Sequence, residues 1–125
     1  MRSKFAITLM AVTGTIAASG AVAAPPAAPD GAAIFKQRCA ACHSVQPGKS
    51  GGVGPNLAGL VGRKAGSGSY NYSPAMKKAG LTWNIASLDK FLAAPVKTVP
   101  GTRMVIALPD PAQRKAVIGY LGQQK

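Results

Sequence analysis

The side chains that bind metals most readily are confined to one short stretch, RCAACHSV at residues 38–45. It contains both cysteines and the single histidine of the chain, as Cys39, Cys42 and His43. Two cysteines often form a disulfide in exported proteins, but this spacing would close so short a loop that the unfolded chain would lose little entropy. A zinc site needs a fourth ligand, or a water at a catalytic centre, and the sequence has no further Cys or His.

The spacing C-x-x-C-H is typical of covalent haem attachment. Each thiol can add to one vinyl group along the same porphyrin edge, and the histidine that follows then lies beneath the iron. A thioredoxin-like redox pair is another interpretation of C-x-x-C, but no βαβ pattern surrounds it here. The sequence therefore predicts one haem c, attached through Cys39 and Cys42, with His43 as an axial ligand.

A second axial ligand is favoured when haem iron transfers electrons, whereas iron that binds or activates a small molecule keeps an open position. With His43 already used, the candidates are a methionine or, rarely, a lysine. Met76 lies in SPAMKKAG, where a short helix is predicted and a methionine that fills the core is the simpler interpretation. Met104 follows the turn predicted at Pro100 and Gly101, after a length of chain that can pass round the ring. We therefore expect Met104 to be the second ligand.

Short helices are predicted to position these residues, and no strand pattern appears. In chain order they cover residues 30–42, 73–79, 84–93 and a last helix from residue 111. Asp30 and Asp110 are the expected N-caps of the first and last helices, and Pro95 is expected to end the third. A glycine-rich stretch at residues 46–69 is predicted to be loop. The expected fold class is all-α, with a covalently held apolar disc completing a core that so short a chain could not easily bury alone.

The chain of 125 residues has room for one domain and begins with the features of a cleaved signal peptide. A positively charged start, MRSK, precedes a mildly apolar run, and AVA at residues 21–23 supplies the small residues that a signal peptidase needs. That run is too short and too rich in Thr, Gly and Ser to span a bilayer comfortably as a retained anchor. We expect a signal peptide at residues 1–23 and a mature domain at residues 24–125 in the periplasm.

The formal net charge is +12, from 15 basic and 3 acidic residues. Removal of Arg2 and Lys4 with the signal peptide would lower it by only two charges. Such an excess predicts anionic partners, which could be acidic proteins, lipid headgroups or nucleic acid. Export argues against nucleic acid, and the few aromatic residues are not interleaved with the basic ones as a stacking platform requires. Acidic docking sites on other proteins are the expected partners, with anionic membrane surfaces as a peripheral contact.

These residues together resemble the class I cytochromes c, of the mitochondrial type and its bacterial relatives. The likeness covers nearly all of the predicted mature chain. It runs through GxxIF at 31–35, CxxCH at 39–43, GPNLxGLxGRKAG at 54–66, YxY at 70–72, Trp83, PGTxM at 100–104 and RxxxIxYL at 114–121. The motif CxxCH alone occurs in many haem proteins, whereas its combination with GPNL and PGTxM in this order is highly specific. The resemblance implies the small cytochrome c fold, with helices and loops wrapped around one covalently bound haem.

The resemblance also implies roles for the residues around the haem. Pro55 would supply the carbonyl that accepts the Nδ1 proton of His43 and fixes the orientation of the ring. Four residues match family positions around the haem propionates, where carboxylates need a charge partner and donors: Arg63, Tyr72, Trp83 and Thr102. Gly31 and Phe35 match first-helix positions that pack on the last helix, where Tyr120 is the expected contact.

Three positions depart from the family pattern. Ile106 stands where an aromatic residue is common, Phe91 where many relatives have Tyr, and Met76 where Asn is common. These changes leave ligation intact but make the haem surroundings less polar. They therefore bear on the reduction potential and on the choice of partner.

The resemblance implies a soluble one-electron carrier, not an enzyme, that works as a monomer between membrane respiratory or photosynthetic complexes. A quinol-oxidising cytochrome complex and a terminal oxidase are the expected kinds of partner. Arg38, Lys97 and Arg103 flank the ligands in sequence and are expected to form the docking face, although simple solvation is the alternative. An open sixth position would instead make the protein a haem enzyme or a gas-binding cytochrome. A dedicated electron-accepting subunit of a dehydrogenase is the third hypothesis.

Overall fold

The computed structural model describes residues 19–125, so most of the predicted signal peptide at residues 1–23 lies outside the described residues. In the described part the helices are Gly31–Arg38 (α1), Pro74–Lys78 (α2), Ile85–Ala93 (α3), Pro95–Thr98 (α4) and Pro111–Gly122 (α5). Residues 19–125 contain no strand, only an isolated antiparallel bridge between Lys64 and Thr82. None of these helices has the length and apolar character needed to cross a membrane. The predicted all-α fold class is confirmed.

Capping side chains mark where the helices begin. Side-chain oxygens of Asp30, Ser73, Asn84 and Asp110 accept hydrogen bonds from backbone N–H groups in the first turns of α1, α2, α3 and α5. Each bond satisfies an N–H group that has no partner within its own helix and stabilises that helix by about 1 kcal/mol. The predicted starts of these four helices are confirmed.

Two helix boundaries differ from the prediction. The first helix ends at Arg38 rather than at residue 42, and the chain then continues in turns, the first closed by a 2.9 Å bond from the Ala40 N–H to the Phe35 carbonyl. Ala41, which the longer helix would have placed on its apolar face, is exposed. Pro95 follows α3 as expected but is itself the first residue of α4, where its fixed φ suits a helix and its missing N–H is not needed.

The first and last helices meet at a point of very close approach. A Cβ on Gly31 would clash with the carbonyl oxygen of Ala116 and would lie 2.9 Å from the Cβ of Tyr120. One turn further along α1, the rings of Phe35 and Tyr120 pack with centroids 5.5 Å apart. The expected packing of Gly31 and Phe35 against the last helix is therefore present. The third helix packs on both α4 and α5. Because α5 contacts both α1 and α3, it links the first helix to the α3–α4 pair.

The buried apolar side chains surround a cavity instead of filling the centre of the molecule. More than half of them also line its walls, among them Leu60, Trp83, Leu88, Phe91, Val117 and Leu121. The rings of Trp83 and Phe91 pack with their centroids 5.1 Å apart on this wall. Protein interiors contain few voids larger than a water molecule. A cavity of about 340 Å³ in so small a domain therefore indicates a site for an apolar group.

Candidate functional site

The cavity brings together the residues that the sequence singled out for haem binding. Cys39, Cys42 and His43 reach it from the turns that follow α1. Met104 reaches it from the segment between α4 and α5. The cavity therefore offers two thiols, one imidazole and the thioether of Met104, with a second thioether at Met76, within mainly apolar walls, which fits a porphyrin attached through its edge.

The C-x-x-C-H stretch is held in tight turns. The N–H groups of Cys42 and His43 both donate to the carbonyl of Cys39 at 3.0 Å. Cys39 and Cys42 are not joined to each other in a disulfide. Burial raises the pKa of the Cys39 thiol above its ordinary value, partly offset by the positive charge of Arg38. A protonated thiol is a poor metal ligand. Residues 19–125 also contain no group of three His, Cys, Asp or Glu side chains that could hold a bare metal ion.

The imidazole of His43 is oriented by a backbone carbonyl. Its Nδ1 lies 2.8 Å from the carbonyl oxygen of Pro55, which can only accept, so Nδ1 carries a proton and, in the neutral imidazole, the lone pair is on Nε2. The N–H of Gly54 donates to the carbonyl of Cys42 at 2.8 Å. This bond holds the loop of Gly54 and Pro55 against the His43 imidazole. A Cβ on Gly54 would lie 2.7 Å from Nδ1, so only glycine allows this closure. Nε2 is thereby prepared for an axial bond.

Two methionines line the cavity, and they differ in their setting. Met76 is buried in α2 and belongs to the apolar core. Met104 is only partly buried and lies in a segment without helix or strand, where its N–H donates to the hydroxyl of Thr102 at 3.3 Å. Because both side chains line the cavity, the assignment of Met104 as the second axial ligand stays a prediction.

The residues expected around the haem propionates all line the same cavity: Arg63, Tyr72, Trp83 and Thr102. The guanidinium of Arg63 donates to the carbonyls of Asn56 at 2.9 Å and Ala58 at 3.3 Å, which fixes it within its loop. These bonds use two of the five N–H groups of the guanidinium. Arg63 therefore keeps donors for a carboxylate in the cavity.

Two side chains make contacts that the sequence did not predict. Arg103 donates to the carbonyl of Asn71 at 2.6 Å, and the Tyr70 hydroxyl donates to the carbonyl of Val53. Together they connect the segment that carries Met104 to the loop that holds His43. The YxY motif includes Tyr70, but the sequence does not identify the two acceptors, the carbonyls of Asn71 and Val53. Every residue has a backbone carbonyl, so the residue type does not show which one accepts.

The open side of the cavity combines exposed apolar groups with positive charge. Three exposed apolar residues line it: Val53, Val105 and Ile106. Of the three basic residues expected at a docking face, Arg38 and Arg103 also line the cavity, whereas Lys97 does not. Ile106, one of the departures from the family pattern, is thus part of the surface and not of the core.

Comparison with known proteins agrees with this geometry. Residues 28–125 match the family model described as Cytochrome c. A cytochrome c2 of Rhodomicrobium vannielii is 50% identical over 96 residues, which cover 75% of this chain and 76% of that protein. A cytochrome c2 of Rhodoblastus acidophilus is 44% identical over 99 residues, which cover 78% of this chain and 92% of that protein. The solved structure of cytochrome cH from Methylobacterium extorquens superposes with a TM-score of 0.68 at 46% identity, covering 74% of this chain and 93% of that one.

Proposed function

The chain belongs to the cytochrome c family, and from that premise we propose that His43 and Met104 are the axial ligands of its haem. As a member of this family it carries one covalently bound haem c and acts as an electron carrier, not as an enzyme. We further propose that Cys39 and Cys42 form the two thioether bonds. The bound haem supplies one-electron chemistry, with iron alternating between the ferrous and the ferric state.

The shared cavity is the observation that carries the proposal. It joins the C-x-x-C-H turn to the one methionine that lies outside the helices of residues 19–125. The bond from His43 Nδ1 to the Pro55 carbonyl holds the imidazole in one orientation and raises the basicity of Nε2. A ligand fixed in this way moves little when the charge on the iron changes, which suits a carrier that must accept and release electrons readily.

The walls of the cavity tune the same centre. Phe91 and Met76 are buried and present no charge, so the cavity disfavours the additional positive charge of ferric iron and raises the reduction potential. Arg63, Tyr72, Trp83 and Thr102 are proposed to surround the propionates, with Arg63 as their charge partner. These residues balance the two negative charges that haem brings into a small domain.

The open side of the cavity is proposed as the docking face. The exposed apolar residues Val53, Val105 and Ile106 would contact the partner, while Arg38 and Arg103 at the cavity, and Lys97 nearby in sequence, would attract acidic groups. The expected donors and acceptors are a quinol-oxidising cytochrome complex and a terminal oxidase or similar complex. We propose that the protein works as a monomer in the periplasm after loss of residues 1–23, with peripheral contact to anionic membranes.

A spectroscopic redox titration of the haem-loaded protein tests the proposed function. The carrier should titrate reversibly with a slope of about 59 mV per tenfold change in the ratio of oxidised to reduced protein. The ferric form should show the weak far-red band of sulfur bound to iron, and the ferrous form should not bind carbon monoxide, because Met104 occupies the sixth position. A high-spin spectrum with rapid binding of carbon monoxide would support a haem enzyme or a gas-binding cytochrome and would overturn the proposal.

A further inference from the structure

The segment that carries Met104 runs through residues 99–110 without regular secondary structure. Its first part is a tight turn in which the Thr102 N–H donates to the Val99 carbonyl at 3.0 Å. The hydroxyl of Thr102 then accepts the Met104 N–H at 3.3 Å. These bonds hold the chain as far as Met104. The residues that follow Met104 need other contacts to hold them.

Arg114 on α5 holds the far end of this segment. Its Nη1 donates to the carbonyl of Leu108 at 3.0 Å and to the carbonyl of Pro109 at 2.6 Å. The N–H of Leu108 donates to the Leu92 carbonyl at 2.7 Å. Both backbone polar groups of Leu108 are thus satisfied, one by α3 and the other by α5. The Leu108 side chain is buried and lines the cavity.

Asp89 on α3 orients the guanidinium of Arg114. Its Oδ1 accepts from Nε at 2.7 Å, and the Arg114 side chain is only 11% exposed while that of Asp89 is 47% exposed. Because the guanidinium is planar and rigid, fixing Nε also fixes the direction of Nη1 toward the two carbonyls. A lysine has no such fork and could not reproduce this arrangement of donors.

We propose that Arg114 is a positioning residue for Met104, held in its working orientation by Asp89. The proposal rests on the proposed role of Met104 as the second axial ligand. By fixing residues 108 and 109, Arg114 restricts the chain on the far side of the thioether and suppresses local opening of the segment. Met104 is then held at both ends, by the turn at Thr102 and by the anchor at Leu108.

Amide hydrogen exchange of the ferrous, haem-loaded protein, combined with the ferric spectrum, tests this proposal. In Arg114→Lys the Leu108 amide should exchange about tenfold to a hundredfold faster, because two hydrogen bonds to a charged donor are lost near it. The Cys39 amide, which bonds to the Phe35 carbonyl in the first helix, should change by less than about twofold, because none of the hydrogen bonds of Arg114 reaches α1. The sulfur–iron band should weaken in the same variant while the protein stays folded.

Two further variants separate positioning from general support of the fold. Asp89→Asn keeps an oxygen acceptor but removes the charge, so it should speed Leu108 exchange less than Arg114→Lys does. Lys115→Ala removes an exposed cation from the next position of α5 and should change neither readout. The proposal would be overturned if the Leu108 amide of Arg114→Lys exchanged at the wild-type rate, or if the Cys39 amide were accelerated as much as the Leu108 amide. Absence of the band from the wild type would overturn the ligand assignment of Met104, and the exchange rates would still decide whether Arg114 anchors the segment.

Discussion

His43 depends on its backbone neighbours as much as on its own chemistry. The Pro55 carbonyl fixes the proton on Nδ1, and Gly54 lets that carbonyl approach because it has no Cβ. A side chain at residue 54 must displace either the loop or the imidazole. The identity of this glycine is therefore part of the proposed iron site.

Replacement of Gly54 by Ala should disturb the site through this contact. The added Cβ would lie 2.7 Å from His43 Nδ1, so we expect a loss of stability of about 1–3 kcal/mol, as for other overpacked sites, together with a changed visible spectrum. Chemical denaturation and the optical spectrum of the haem-loaded variant provide the two readouts.

Gly48→Ala in the same loop is the matched control. Gly48 has φ of 73°, and a Cβ added there would meet no other atom within contact distance, so alanine introduces only backbone strain. It should cost about 1 kcal/mol and leave the spectrum unchanged. An unchanged spectrum in Gly54→Ala would show that the added Cβ displaces the backbone of the loop and leaves the His43 imidazole in place.

The local site residues could be predicted from sequence to different degrees. Cys39, Cys42 and His43 form a contiguous pattern whose chemistry leaves few alternatives. The contact between Pro55 and His43 was implied only by family resemblance. The bonds from Arg114 to Leu108 and Pro109 were not predictable, because their acceptors are backbone carbonyls whose positions depend on how α5 packs.

Capping explains why most helices could be predicted. Asp30, Ser73, Asn84 and Asp110 are residue types that compete for backbone N–H groups, and each stands directly before its helix. The sequence does not predict α4, because Pro95 indicates the end of α3 as readily as the start of a new helix. The predicted first helix is too long because no residue between 38 and 42 signals the change from helix to turns.

The loops around the cavity are connected by side chains that donate to backbone carbonyls. Tyr70→Phe should loosen the loop before Gly54, because it removes only the hydroxyl that donates to the Val53 carbonyl. We expect a loss of about 1 kcal/mol in the free energy of unfolding and faster proteolysis of the glycine-rich loop. Limited proteolysis and denaturant titration of the haem-loaded protein measure both effects.

Tyr120→Phe is the control for this change. The Tyr120 ring packs on Phe35, and its hydroxyl does not contribute to the bond between Tyr70 and Val53. Its removal should change the stability by less than about 0.5 kcal/mol and leave loop cleavage as in the wild type. Equal effects of the two variants would show that the Tyr70 hydroxyl does not secure the loop.

All three acidic residues of the chain have structural partners. Asp30 and Asp110 cap helices, and Asp89 pairs with Arg114. The remaining basic side chains are therefore not neutralised by acids within residues 19–125, which leaves a strongly positive surface for steering toward acidic partners. The excess of charge was evident from composition, but its placement at the cavity required the fold.

Charge reversal at the open side should slow electron transfer to an acidic partner. We expect Arg38→Glu combined with Arg103→Glu to lower the rate and to flatten its dependence on salt, because fewer charges remain to be screened over a Debye length of about 10 Å at 0.1 M. Stopped-flow oxidation across a salt series measures the rate. A potential close to that of the wild type shows that loss of the Arg103 bond to Asn71 has not damaged the site.

Reversal of Lys77 and Lys78 to Glu provides the same change in net charge away from the cavity lining. Both side chains are exposed in α2. This variant should retain most of the wild-type rate. Equal slowing in the two double variants would show that overall charge matters and that no localised docking face exists.

Proton–carbon NMR of the ferrous protein with labelled methionine methyl groups tests the central claim most directly. A methionine bound to haem iron holds its methyl group over the porphyrin, whose ring current shifts that resonance far upfield. Met76 and Met104 are the methionines of the described residues, so two methyl signals are expected from them. We predict that one is strongly shifted upfield, that Met104→Leu abolishes it and that Met76→Leu retains it. A spectrum with no such signal, or its loss in Met76→Leu alone, would contradict ligation of the iron by Met104.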